Sequence, residues 1–209
     1  MIYLCERIFT LIKIFNMNND LSERQKEIIK ASLELIAEKG IQGLTIKNLS
    51  KKIGLAESAI YRHYESKTQI LIAILDSISE QTTPNGSTKV ESVINHLEQK
   101  LRNNFQTFTA NPALVSVIFA EDLFQNEALL VEKTKAKVEK SISEVAKLIK
   151  VGQQKGEIRN DIDSEQLAIM INGSVRMLVK QWKMSDYSFD LIQKGDELIN
   201  SMKLLLKPL

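Results

Sequence analysis

"TIKNLSKKIGLAESAIYRHY", residues 45–64, is where the chain declares its architecture. Its first half puts Ile46, Leu49 and Ile53 on one helical face, and Gly54 ends that run. "AESAIYRHY" then reads as a second, short helix. Gly54 supplies the backbone freedom that a tight corner between helices needs, while Leu55 and Ile60 are apolar residues suited to fill the angle between them. Two short helices around a glycine corner make a helix-turn-helix, whose second helix enters the major groove of DNA. Charge points the same way. From Thr45 to Lys67 there are five cations (Lys47, Lys51, Lys52, Arg62, Lys67) against Glu57 and Glu65, a local +3 in a chain whose net charge is +2.

The end of the stretch is unusually rich in donors. Tyr61, Arg62, His63, Tyr64 and Lys67 lie within seven positions. With Ser66 as N-cap, Lys67 falls in the first turn of the next helix, where the dipole disfavours a cation by a few tenths of a kcal/mol. An arriving phosphate would reverse that sign. Tyr61 and His63 are suited to donate to phosphate oxygens, contacts that set register and not sequence. Tyr64, three positions after Tyr61, is expected in the core, and Lys51 and Lys52 also fit a solvated surface.

Outward from this point the period is helical almost everywhere. "LSERQKEIIKASLELIAEKG" (21–40) opens with a Ser22/Gln25 capping box, carries Ile28, Ala31 and Leu35 on one line, and stops at Gly40. Ser66 and Gln69 form a second box, opening a helix along Ile70, Leu71, Ile74, Leu75 and Ile78. "QTTPNGST" (81–88) reads as a linker. Longer helices follow at about 89–109, 113–124, 127–154, 164–184 and 189–206, with Asn111-Pro112 and Gly156 as breaks. Strand alternation, internal repeats and low-complexity tracts are absent from the pattern. The expected fold is all-α: a three-helix DNA-binding domain at 20–66, a connecting helix at 67–80, and an antiparallel bundle for ligand binding and dimerisation at 81–209.

Composition narrows the function classes. Three prolines, eight glycines and 44% hydrophobic residues suit a helical core. A single cysteine, Cys5, excludes a disulfide framework or a cysteine zinc site and fits a reducing cytoplasm. No apolar run reaches the roughly 18 residues of a membrane span. "MIYLCERIFTLIKIF" is apolar but interrupted by Glu6, Arg7 and Lys13. Residues 1–19 are read as an extension outside the domain, with Met17 an alternative start. An enzyme is disfavoured. The two histidines, His63 and His96, stand far apart in sequence, and no glycine-rich phosphate loop, metal-ligand spacing or nucleophile motif occurs. No cofactor is implied.

The combination Ala31, Lys39-Gly40, Thr45, the Gly54 turn, Ala59-Ile60-Tyr61, His63-Tyr64, Lys67 and Leu71 resembles the DNA-binding domain of TetR-family transcriptional regulators over about fifty residues. The resemblance implies that the short third helix reads bases of double-stranded operator DNA. The positions matching the family's contacts are Thr45, Glu57, Ser58, Ala59, Tyr61, His63 and Lys67. Two departures stand out. Ala56 replaces the usual Ser or Thr cap, at a cost of about 1 kcal/mol. Glu57 puts an acid at the groove-facing end, where it either accepts from a cytosine amino group or repels phosphate.

The C-terminal half says less. Residues 152–182, "GQQKGEIRNDIDSEQLAIMINGSVRMLVKQW", resemble the end of several acyl-CoA-responsive members. Leu167, Met170, Ile171, Ser174 and Leu178 share a helical face, and Leu191, Leu198, Met202 and Leu205 repeat along the last helix. Two adjacent amphipathic helices at the end suggest the four-helix seam of a homodimer. Phe105, Phe108, Phe119, Phe124, Met170, Met177 and Trp182 are candidates to line a ligand cavity, with Arg176 for an anionic head, although at helical spacing such residues also serve as plain core. The expected function is a cytoplasmic repressor released from its operator by a small hydrophobic effector. The rival is a DNA-bound adaptor that recruits a protein and takes no small ligand.

Overall fold

The computed structural model describes residues 21–79, 92–120 and 127–208, which form nine helices and no strand among the described residues. In chain order they are α1 (Glu23–Gly43), α2 (Ile46–Ile53), α3 (Glu57–Tyr61), α4 (Lys67–Ser79), α5 (Val93–Ala110), α6 (Pro112–Ile118), α7 (Ala128–Gln154), α8 (Ser164–Met184) and α9 (Leu191–Leu206). The expected extension at 1–19, the linker at 81–88 and Phe124 lie outside the described residues.

Local chemistry sets most of the helix ends. Ser22 Oγ accepts from the Gln25 amide at 3.3 Å while the Gln25 side chain takes the Ser22 amide at 3.0 Å, the expected reciprocal box. Thr45 Oγ1 caps α2 through the Asn48 amide at 3.1 Å. Gly54 ends α2 at φ +68°, a left-handed conformation that Gly adopts without strain. The second box is displaced by one residue. Ser66 Oγ accepts from the Gln69 amide, but the Gln69 carbonyl reaches the Glu65 amide and not that of Ser66. Farther on, Asp163 and Asp190 cap α8 and α9 through pairs of first-turn amides.

The chain divides into two compact units. The first joins α1–α4 to the segment Ala110–Thr134, and so includes α6 and the start of α7. Its core is Ile28, Leu35, Leu49, Ile60, Ile70, Ile74, Leu114 and Val117, all nearly inaccessible to water. The sequence reading places 81–209 in one bundle, whereas this division sets α6 and the start of α7 with α1–α4. Residues 110–134 group with the DNA-binding side because α6 buries Ala113, Leu114 and Val117 against α1 and α4. Tyr64 is core, as expected, but its hydroxyl finds no hydrogen-bond partner there. Burial pushes its pKa up to about 12. Because an unpaired buried hydroxyl costs desolvation free energy, Tyr64→Phe should leave stability unchanged or raise it by up to about 1 kcal/mol. Urea denaturation checks this. A loss above 1 kcal/mol would reveal a partner for the hydroxyl.

The second unit contains α5, the remainder of α7, α8 and α9. Val93, Leu97, Leu101 and Phe105 of α5 are buried with Ile149 of α7, Leu167, Ile171, Val175 and Val179 of α8, and Ile199 and Met202 of α9. Gly195 lets α9 approach the Phe105 ring; a Cβ there would lie 2.4 Å from the ring. The Glu157 carboxylate caps α5, accepting from Ser92 Oγ at 2.9 Å and the Val93 amide at 2.7 Å. The Ser92 bond, with the Val93 and Ile94 amides, holds its pKa below the usual carboxylate value. Lys100 is buried and paired with Glu144 at 2.8 Å.

Candidate nucleic-acid interface

One buried side chain mounts the short helix α3. Ile60 is fully inaccessible, whereas Glu57, Ser58 and Tyr61 are exposed and Ala59 is partly so. Tyr61, 49% exposed, presents its ring and hydroxyl to solvent. The helix spans only five residues and Ala56 makes no side-chain cap, so the missing hydrogen bond read from the sequence is real. Thr45 is exposed at the start of α2 and His63 is half-buried just past α3. Thr45, Glu57, Ser58, Tyr61 and His63 thus all reach solvent on the α2–α3 pair and the residues that flank it.

The local charge is less available than the sequence count suggests. Lys52 is turned toward α1, at 2.7 Å from Glu38 and 3.3 Å from Glu34. The Glu38 hydrogen bond holds its pKa above the usual lysine value. Lys67 is half-buried and donates to the Ile41 carbonyl at 3.1 Å, closing the end of α1. Burial lowers its pKa, with the Glu127 carboxylate acting in the opposite direction. The phosphate seat expected at Lys67 is therefore already engaged from within the protein. Lys47, Lys51 and Arg62 are the cations of this stretch left exposed. Their importance is visible only once Lys52 and Lys67 are seen to have partners.

The ligand candidates among the described residues differ in their surroundings. Phe105 is packed on Gly195, and Trp182 is buried, donating to the Phe189 carbonyl at 2.9 Å with the Tyr187 ring edge-on at 4.7 Å. Phe108, Phe119 and Arg176 are half-buried. Met170 and Met177 face outward in the single chain, at 54% and 56% exposure. They line an open groove between α8 and α9 with Ile169, Gly173 and Leu198. The two apolar lines read from the sequence accordingly split. Leu167, Ile171, Leu191 and Met202 face the interior, while Met170, Ser174 and Leu205 face solvent. Ile169 and Leu204, 49% and 65% exposed, extend the outward face and were not read from the sequence. A second apolar line offset from the first along the same helix was the available signal.

Among the described residues no group of three or more His, Cys, Asp and Glu could hold a metal ion. Among them, too, no helix is long and apolar enough to cross a membrane.

Two short helices around a glycine corner, followed by further helices, make the helix-turn-helix of a DNA-binding transcriptional regulator. Residues 28–74 match the family model of bacterial regulatory proteins of the tetR family, and residues 68–207 match that of the YsiA-like protein C-terminal region. The chain belongs to the TetR family. A probable acrEF/envCD operon repressor of Escherichia coli K12 is 22% identical, over 88% of this chain and 87% of its own. Among solved structures, the fatty acid degradation regulator FadR of Bacillus halodurans superposes with a TM-score of 0.73 at 22% identity, covering 88% of this chain and 97% of that one. The Bacillus subtilis FadR in complex with stearoyl-CoA gives 0.69 at 21% identity, covering 86% and 98%.

Proposed function

We propose that the protein is a repressor that binds a pseudo-palindromic operator as a homodimer and leaves it when a hydrophobic effector binds. The observation that carries this reading is α3, with one anchor inside and Glu57, Ser58 and Tyr61 outside. A half-exposed tyrosine beside two polar side chains on so short a helix leaves an aromatic ring edge and donors available to a partner. Glu57 and Ser58 are assigned to base edges, and Thr45, Tyr61 and His63 to the backbone. Ala59 is close enough to the surface to touch a thymine methyl.

The groove between α8 and α9 supports the homodimer. Exposed Ile169, Met170 and Met177 form an apolar patch, and Gly173 and Ser174 keep it flat enough for a second copy to approach. A two-fold axis would pair the patch with itself. For the effector, the likeness to a stearoyl-CoA complex and the half-buried Phe108 and Arg176 favour an acyl chain with an anionic head.

The test is a fluorescence-anisotropy titration of the protein on an operator selected from random duplexes, followed by addition of long-chain acyl-CoAs. Release is expected, because only a ligand that prefers the DNA-incompetent state shifts the equilibrium. A coupling of about 1–3 kcal/mol corresponds to roughly 5- to 150-fold weaker operator binding. Arg176→Ala should blunt release by anionic ligands and leave operator affinity intact. If no dyad-symmetric site is enriched, the reading fails. If the operator is bound but no apolar compound binds the protein, the adaptor reading replaces it.

A further inference from the structure

Lys67 opens α4, where the helix dipole disfavours a cation. Its ammonium does not stay there. It crosses to α1 and donates to the Ile41 carbonyl at 3.1 Å, 26 positions back in the chain. That carbonyl lies in the last turn of α1, where the dipole favours a cation and the final carbonyls lack partners within the helix. The Leu44 amide reaches the same oxygen at 3.3 Å. A charge that is unfavourable for its own helix is thus met by the carbonyl end of another.

Residues 41–44 are the approach to the α2–α3 pair. Ile41 and Leu44 are buried, and Asn48 of α2 donates to the Gly43 carbonyl at 2.9 Å. Thr45, which caps α2, follows directly. The corner is therefore braced from two sides, by Asn48 from α2 and by Lys67 from α4. Lys52 adds a third tie, from α2 to Glu34 and Glu38 on α1. Both half-buried lysines of the basic stretch are turned onto α1, while Lys47, Lys51 and Arg62 remain exposed.

We infer that Lys67 is a positioning residue for operator binding, which acts through the Ile41 carbonyl to fix the α1–α2 corner, and with it the direction of α2 and α3, and makes no phosphate contact. The inference rests on the operator reading above. Without the bond the corner is looser in the free protein, and the reading pair has to be ordered when DNA binds, at a cost in affinity. Because Lys67 neutralises no phosphate, it releases no counterion, and its loss leaves the salt dependence as it was.

Lys67→Met keeps the aliphatic stem and removes the ammonium. Folding is checked by thermal unfolding, and operator titrations are run well below the transition. The variant should bind the selected operator about tenfold more weakly, the scale of one lost hydrogen bond to a charged group. The factor should be the same from about 50 to 200 mM salt. A phosphate contact would instead lower the log–log slope by about one per subunit. A second measurement needs no variant: by NMR of the DNA-free wild-type protein, the Lys67 ammonium protons should exchange with water more slowly than those of exposed Lys47. The inference is wrong if the folded variant binds like wild type, if its slope falls by about one per subunit, or if the two ammonium groups exchange equally fast. If the Lys67 ammonium is protected but wild type binds no duplex, the operator reading is what fails.

Discussion

Raising the salt concentration from about 50 to 200 mM is expected to weaken operator binding by about a thousandfold. Each neutralised phosphate releases a condensed counterion, and affinity falls with a log–log slope of about 0.9 per phosphate on duplex DNA. Three contacts per subunit, six per dimer, turn a fourfold rise in salt into about three decades. The exposed Lys47, Lys51 and Arg62 supply that number without Lys52, which is committed to Glu34 and Glu38. An anisotropy titration across salt reads the slope directly. Lys52→Ala should leave the slope unchanged, and Arg62→Ala should lower it by about one unit per subunit. A slope near zero for the wild-type protein would remove the DNA-binding account of this surface.

Met177→Glu is expected to convert the dimer into monomers and to lower operator affinity by about two to four decades. On a two-fold axis each substitution occurs twice, so two like charges enter one largely apolar seam and lose water there. The single chain should not notice. Met177 is already 56% exposed, and Glu is a good helix former. Helicity and thermal unfolding of the monomer should therefore resemble those of dissociated wild type. The affinity loss follows from the second half-site, whose binding is favoured by 10²–10⁴ when the subunits are linked. Sedimentation velocity and operator titration together check both halves. A Met177→Glu protein that remains dimeric would show that the seam lies elsewhere.

How far these features were legible in the sequence depends on how local their physics is. The Ser22/Gln25 box, the Gly54 corner and the missing cap at Ala56 are interactions within three or four residues, and each stands where the sequence put it. The Ser66/Gln69 box slipped by one position because Glu65 offered its own amide and carboxylate to Gln69. Grouping α6 with the first unit was out of reach, since no spacing rule tells Leu114 and Val117 that they share a core with Ile28 and Ile74. Lys52 and Lys67 counted as surface charge until their partners, 14 and 26 positions away, came into view. On α8, one period of 3.6 residues accounted for Leu167 and Ile171, but it also drew in Met170, which belongs to the exposed flank.

The single anchor of α3 has an evolutionary consequence. In most helices a change of outward side chain disturbs a cap, a neighbouring turn or a packed ridge, so new specificity arrives with a loss of stability. In α3 only Ile60 is committed to the core, there is no side-chain cap to lose, and the Gly54 corner fixes the direction of the chain from outside the helix. Positions 57, 58 and 61 are thus free to drift at almost no cost to folding. A duplicated copy of this gene could acquire a new operator through a handful of neutral steps, with the scaffold keeping its shape while the recognised word changes.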